Sequence, residues 1–378
     1  MGRLKDWIEE RTGASTFEKF GQDYLSKPVP PHVNYSFTLG TAALVLFMTQ
    51  IGSGILLAFN YSSSLGQAYD SVARITFDVP SGWLIRSFHA WGAHMMVFVL
   101  FLHMLRVFWY GGYKRPREVT WIFGSALLLL TMLFGFTGYL LPMDQVSYWG
   151  TVVATEPMFG LPLAGDLVGR IARGGTEVND STLSRFFIIH VFILPASVGA
   201  LVAAHLYLVG RNGISTKESV TDEMSHGYKN LMKESGVPFK HHMYREVTTV
   251  VVVLSLVIVL AVLFPFELGP KATPDSTPTG VKPEWYFLPV YQFLKYVPKL
   301  VGLLLVNVAV VLFVLLPFLD RNPERRPGKR KGLMLIAAAG LLATLVLGAL
   351  GHLSETRLGN WEFDIRGVPH RVEEGHGK

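Results

Sequence analysis

Four histidines fall in two apolar stretches of the chain at nearly equal intervals. In RSFHAWGAHMMVFVLFLHMLRVFW, His89 and His103 stand 14 positions apart; in RFFIIHVFILPASVGALVAAHLYLV, His190 and His205 stand 15 apart. As α-helices these intervals rise by ~21 and ~22.5 Å and return to within about 40° and about 60° of the starting face. Two such helices side by side present two stacked histidine pairs, each able to hold one metal or one haem iron from both sides. Neutral imidazole suits iron, and a flat macrocycle needs axial ligands on opposite faces, so the pattern predicts two haems at different depths. Ionisable groups inside apolar spans are costly and by default functional. His94 is the contrast: it lies about 140° round the helix from His89, with no partner at matching depth, and reads as structural.

The elements that must position these side chains are membrane helices. Of 378 residues, 50% are hydrophobic and only 16% charged, with a mean hydropathy of +0.35. That composition predicts an all-α polytopic membrane protein, not a soluble domain. Seven stretches are long enough to span: roughly 37–59, 83–109, 121–141, 184–209, 247–266, 298–319 and 333–352. The stretch 150–171, broken by Glu156, Pro157, Pro162 and Asp166, reads as short surface helices. The amino-terminal segment shows no cleavable signal. Its two apolar stripes, Leu4, Trp7 and Ile8, then Phe17, Phe20 and Tyr24, place it on the membrane face.

Charge orients the spans. Lys114, Arg115 and Arg117 follow the second; Arg211, Lys217, Lys229, Lys233, Lys240 and Arg245 follow the fourth; DRNPERRPGKRKG follows the sixth. Positive-inside then puts the amino terminus in the cytoplasm and the carboxyl terminus outside. The net charge of +6 is thereby topological, and no nucleic-acid partner is expected. Spans two and four run in the same direction, which pairs His89 with His190 on the outer side and His103 with His205 on the inner side. Cysteine is absent, which excludes a thioether-attached haem, a cysteine-ligated iron–sulfur cluster and disulfides within the chain. Gly40 and Gly54 in span one, and Gly124 and Gly138 in span three, repeat the 14-residue interval. Glycine lets a flat ring press on a helix backbone, so these four are expected against haem edges. Spans one to four are then a four-helix di-haem bundle.

These residues, together with GYLLPMDQVSYWG (138–150) and PEWYFLP (283–289), resemble cytochrome b of the quinol–cytochrome c oxidoreductases, the Rieske/cytochrome b complexes, from about residue 1 to 352. VPPHVN (29–34), RSFH (86–89), GGYKRPREVTW (111–121), RGG (173–175) and the 15-residue histidine interval are similar to the photosynthetic and Gram-positive branch. In that branch a four-span cytochrome b and a three-span second subunit are commonly separate chains; here they are joined. The expected division is 1–210 for the di-haem bundle, 211–246 for a polar cytoplasmic connector, 247–352 for a three-helix part carrying the PEWY loop, and 353–378 for a polar tail. Three departures from the branch stand out. Thr38 occupies the position of a cysteine that anchors an extra inner haem, Met143 makes PMDQ of PWDQ, and Gly210 replaces a basic residue, with Arg211 next to it. No counterpart is expected of the eighth span of mitochondrial-type cytochromes b.

The resemblance implies two non-covalent b-type haems and a quinol oxidised at an outer site. One electron would pass to a Rieske 2Fe–2S partner and on to a c-type cytochrome. The other would cross through the outer and inner haems to an inner quinone, with protons released outside and taken up inside. It also implies a dimeric complex among lipid, in a bacterial cytoplasmic (inner) membrane. Glu284 is the expected proton acceptor, because burial raises a carboxyl into a useful range. Tyr286 would hydrogen-bond in the same site, and Tyr148 would line its opposite wall. Arg86 and Arg106, one turn from His89 and His103, are expected on haem propionates. Arg211 and Asp222 are the expectation for the inner quinone site. The rival reading is a di-haem anchor subunit of a membrane dehydrogenase or hydrogenase, against which PEWY, PMDQ and the carboxyl-terminal spans argue.

Overall fold

The computed structural model describes residues 2–12, 19, 22, 25–160, 164–278 and 280–371. Helix α1 (Gly2–Thr12) leaves Trp7 exposed; Phe17, Phe20 and Tyr24 lie outside the described residues, as does the end of the tail beyond 371. Helix α2 (Leu39–Ala58) leads through the short α3 (Ala68–Phe77) to α4 (Gly82–Trp109) and α5 (Glu118–Leu140). Two surface helices, α6 (Gln145–Phe159) and α7 (Gly165–Arg173), precede α8 (Asp180–Asn212). The connector folds as α9 (Val220–His226) and α10 (Tyr228–Ser235), followed by α11 (Lys240–Leu263), α12 (Leu288–Leu294), α13 (Lys299–Val314), α14 (Leu316–Leu319) and α15 (Lys331–Leu353).

Six of these, α2, α4, α5, α8, α11 and α15, are long and apolar enough to cross a membrane. The expected span 298–319 is divided. Helix α13 has 16 residues, ~24 Å of rise, against a hydrocarbon core of ~30 Å. Pro317 breaks it, since proline has no N–H for the carbonyl four residues back. That carbonyl, Phe313 O, accepts from Trp121 Nε1 instead, at 3.0 Å.

Helix α2 packs along α4, α5 packs along α8, and α11 lies against both α2 and α4. Ala42, Leu46, Phe47, Met96, Val99 and Val198 fill the middle of this bundle, so the two histidine levels are separated by a dry apolar layer. The surface helices form a hairpin held by Arg173 of the RGG motif, whose guanidinium reaches Thr155 Oγ1 (2.6 Å), Val152 O and Glu156. A short antiparallel pair, β1 (Pro28–Val29) with β2 (Val237–Pro238), ties the amino-terminal segment to the connector.

The connector is more than a solvated link. Glu223 of α9 is buried and pairs with Arg117 (2.7 Å) and with Arg325. Lys114 meets Asp320 at 2.5 Å, and Arg330 donates to Tyr113 Oη and to the carbonyls of Phe108 and Trp109. This buried network joins the loop after α4, the connector and the loop before α15. The tail, for which the sequence offered no role, forms a three-stranded antiparallel sheet, β3 (Arg357–Leu358), β4 (Trp361–Phe363) and β5 (Pro369–Arg371). Gln292 and Tyr296, at the end of α12, hold it through Arg366 O.

Candidate haem and quinol sites

His89 of α4 and His190 of α8 face each other with ring centroids 6.3 Å apart and planes inclined by 67°. Two imidazole–metal bonds of about 2 Å, with half a ring on either side, span about that distance. The hydroxyl of Ser53 donates to Thr49 O (2.7 Å) and that of Thr137 to Leu133 O (2.9 Å). Each therefore has only lone pairs to offer the imidazole Nδ1 beside it, at 2.9 Å for His89 and 3.2 Å for His190. The proton of each ring sits on Nδ1, and both Nε2 lone pairs are left for a metal. Among the described residues no three His, Cys, Asp or Glu converge as a site for a bare ion, so a metal here must bring its remaining ligands with it. A haem does.

The four glycines contact the histidines themselves. A methyl at Gly54 would lie 3.3 Å from His89 Cε1, at Gly138 2.6 Å from His190 Cε1, at Gly40 3.2 Å from His103 Cε1 and at Gly124 3.3 Å from His205 Cε1. The flat ring that each makes room for is an imidazole, a contact the sequence did not specify. The unequal intervals are explained by a π turn at Ile189–Ile193, closed by Leu194 N–H on Ile189 O. Pro195, at the start of the α-helical continuation, withdraws one N–H from the ladder. A π turn accommodates one extra residue, the difference between 15 and 14.

At the inner pair, no hydroxyl takes the role of Ser53 among the described residues. Arg106 is there instead, with Nη2 3.5 Å from His103 Nδ1 and its guanidinium 4.4 Å over the Phe37 ring. Its Nε is buried with no hydrogen-bond partner, which fits a propionate carboxylate. Arg86 departs from the parallel expectation: it donates to Phe266 O (2.6 Å) and Glu267 O (3.0 Å), fixing the loop after α11. Thr38 is fully buried and donates to Thr249 Oγ1 of α11 at 2.7 Å, a helix–helix contact.

The two residues expected at the inner quinone site have plain surroundings. Arg211 is exposed, and the Asp222 carboxylate completes a capping box with Ser219 at the start of α9, the ordinary work of an Asp there. A cavity of about 330 Å³ lined by Pro30, Pro31, His32, Thr216, Lys217 and Met232 opens nearby. His32 stacks on Tyr110 (6.0 Å) and meets the edge of Phe37 (5.5 Å), which carries Arg106. Burial, then Lys217, hold His32 below its usual value. Sequence reasoning passed over His32, although VPPHVN contained it.

Near the His89/His190 level, burial pushes the Glu284 carboxyl up to about 6. Burial also raises the Tyr286 hydroxyl, with Glu284 adding to it. Tyr286 packs on Gly135, where a methyl would lie 2.5 Å from its hydroxyl, one turn from the Gly138 that faces His190. The acid loop is thereby brought to the outer histidine pair. His94 is there too, 3.6 Å from Glu284 and accepting from Trp285 Nε1–H, partners on a loop that helical spacing alone does not show. Tyr148 is buried with Leu140, Met143, Leu183 and Phe186; no hydrogen bond or ring contact among the described residues joins it to Glu284 or Tyr286. Its helix is nevertheless tied to the loop before PEWY, with Gln145 N–H on Pro270 O and Ala272 N–H on Met143 O.

A family profile described as Cytochrome b/b6/petB matches residues 24–213, half of the chain, and one described as Cytochrome b(C-terminal)/b6/petD matches residues 271–363. The chain belongs to the cytochrome b/b6 family. The Cytochrome bc complex cytochrome b subunit of Chlorobaculum thiosulfatiphilum is 38% identical over 86% of this chain and 76% of that one. Cytochrome b6 of Gracilaria tenuistipitata var. liui is 42% identical over 57% of this chain and 99% of its own length. A solved structure described as Hyperthermophilic respiratory Complex III superposes with a TM-score of 0.83 at 32% identity, covering 93% of this chain and 92% of that one. This cytochrome b thus carries a b6-type part and a petD-like part in one chain. It is an integral membrane subunit of a quinol-oxidising electron-transfer complex.

Proposed function

We propose that this cytochrome b oxidises quinol on its outer side with electron bifurcation, and that Glu284, Tyr286 and the His89/His190 level form that site. One electron leaves to a Rieske 2Fe–2S partner and onward to a c-type cytochrome; the other crosses the membrane to a quinone on the inner side. The observation that carries this reading is the placement of a partly buried acid, Glu284, on the same loop as Tyr286, which packs on α5 one turn from the residue facing His190. Haem bound at the two histidine levels supplies one-electron acceptors in series. The chain's own residues do the rest. Ser53 and Thr137 fix the tautomers of His89 and His190, and Arg106 offers a charged donor on the inner side. Glu284, largely ionised above about pH 6, takes a quinol proton. Tyr148 and its helix form the wall on the side of the PMDQ turn.

The inner quinone is assigned to the cavity at His32, because that cavity reaches the inner histidine level through Tyr110, Phe37 and Arg106. The division into 1–210, 211–246, 247–352 and 353–378, the cytoplasmic amino terminus, a bacterial inner membrane and a dimeric complex belong to the same proposal. The deciding experiment is a pulse of oxidant given to the intact complex in the presence of quinol. Bifurcation requires the b-haem absorbance to move towards the reduced spectrum as the c-type partner is oxidised. Movement towards the oxidised spectrum would sink the reading.

A further inference from the structure

We propose that His94 is a positioning residue of the outer quinol site, holding the Glu284 carboxylate ready to receive the quinol proton through an Nε2–H aimed at it. The inference rests on the reading of Glu284 above and adds a partner to it. Trp285 Nε1–H donates to His94 Nδ1 at 3.1 Å. Nδ1 is therefore an acceptor, and in the neutral ring the proton must sit on Nε2. Nε2 is the atom that faces Glu284 Oε2, at 3.6 Å. That is slightly long for a direct hydrogen bond, a spacing that closes when substrate or charge arrives.

The ring cannot turn away. Phe266 stacks on it (5.6 Å, 23°), Trp91 and Tyr286 flank it at 5.7 and 6.1 Å, and Trp91 is itself anchored on Phe264 O. An open apolar groove formed by Trp91, Met95, Phe98, Leu260 and Trp285 runs beside the ring. With one nitrogen accepting from Trp285 and the other already protonated, His94 orients the acid and does not take its proton. The titratable groups facing Glu284 are His94 from α4, Tyr139 from α5 and Tyr286 from its own loop.

A donor to the charged form of an acid holds its pKa down against burial. His94→Leu in the intact complex is therefore expected to move the acid limb of quinol oxidation upward by about one pH unit, whereas His94→Gln, which keeps an N–H, restores the wild-type limb. An unchanged limb in a His94→Leu complex with full haem content overturns the proposal. Should that variant not assemble, Trp285→Phe removes the donor that fixes the tautomer; it must move the limb in the same direction, and an unmoved limb overturns the proposal equally. Glu284→Gln separates the two levels of inference. If it keeps the wild-type rate, the reading of Glu284 fails. If it loses the rate while His94→Leu leaves the limb in place, only the role of His94 fails.

Discussion

Gly138 stands so close to His190 that a methyl on its Cα would lie 2.6 Å from the imidazole Cε1. Gly138→Ala must push the ring off its line to His89 and is expected to cost about 1–3 kcal/mol, as overpacking does. Gly54→Ala, with 3.3 Å available, is the milder change. Haem content per chain and the reduced-minus-oxidised spectrum measure both: the outer haem is lost or broadened in the first variant and largely kept in the second.

Ser53 and Thr137 are expected to matter to the haem without touching it. Removing the acceptor in Ser53→Ala leaves the His89 Nδ1–H unpaired in a buried site, whereas Thr137→Val leaves His190 its backbone partner at Phe134. Loss of such outer partners weakens metal retention by about 10–100-fold. Haem dissociation in a dilution series, compared with His205 variants on the inner side, reads this directly. Wild-type retention in Ser53→Ala would show that helix packing alone orients the His89 ring.

Glu284 predicts a pH dependence of known sign. Its folded value is raised to about 6 from an ordinary 4.5, so the proton-accepting form disappears as pH falls through 6, and quinol oxidation falls with it. Glu284→Gln is expected to lower the rate by about 10²–10⁴-fold. Stability moves the other way. The cost of charging a buried acid is absent below pH 4.5 and complete above pH 6. The Gln variant should therefore melt higher than wild type at neutral pH and alike at pH 4 in thermal scans.

The buried network around Glu223 predicts a structural role for the connector. Glu223 answers both Arg117 and Arg325 in a buried setting. Breaking one partner of such a pair leaves uncompensated charge and costs about 3–5 kcal/mol. Glu223→Ala should lower the melting temperature and, after protease nicking of the connector, let the two halves separate in detergent. Asp222→Ala, which removes only a cap, should cost about 1 kcal/mol and leave the halves together.

For His32, the expected outcome is kinetic. His32→Ala should slow re-oxidation of reduced b haem by added quinone and leave quinol oxidation by the outer site unchanged over the first turnover. Stopped-flow traces at the b-haem band separate the two phases.

Much of this was legible from spacing and composition. The helical spans apart from 298–319 follow from apolar composition, the facing of His89 and His190 from helical spacing and charge, and the choice of Glu284 from the resemblance of PEWY to the family. What escaped has identifiable causes. His94 was set aside because helical phase says nothing about a loop that returns from nearly two hundred residues away, and it is that loop which brings Trp285 and Glu284 to it. Arg86 looked equivalent to Arg106 by its offset from a histidine, but loop carbonyls near Arg86 had no signature in the sequence. Asp222 looked like any acid near a quinone site until Ser219 showed it capping a helix. The broken span at α13–α14 turns on Pro317 and on Trp121, which belongs to another helix.

The π turn at Ile189–Ile193 makes α8 two rods coupled by a phase shifter. His190 lies inside that turn, so the extra residue is taken up on the way to His205. Insertions or deletions of one residue on this helix can thus be tolerated where the same change in the uninterrupted α4 would swing one histidine about 100° out of line. The 14-residue interval is thus set by an unbroken helix, and the 15-residue interval by a local turn.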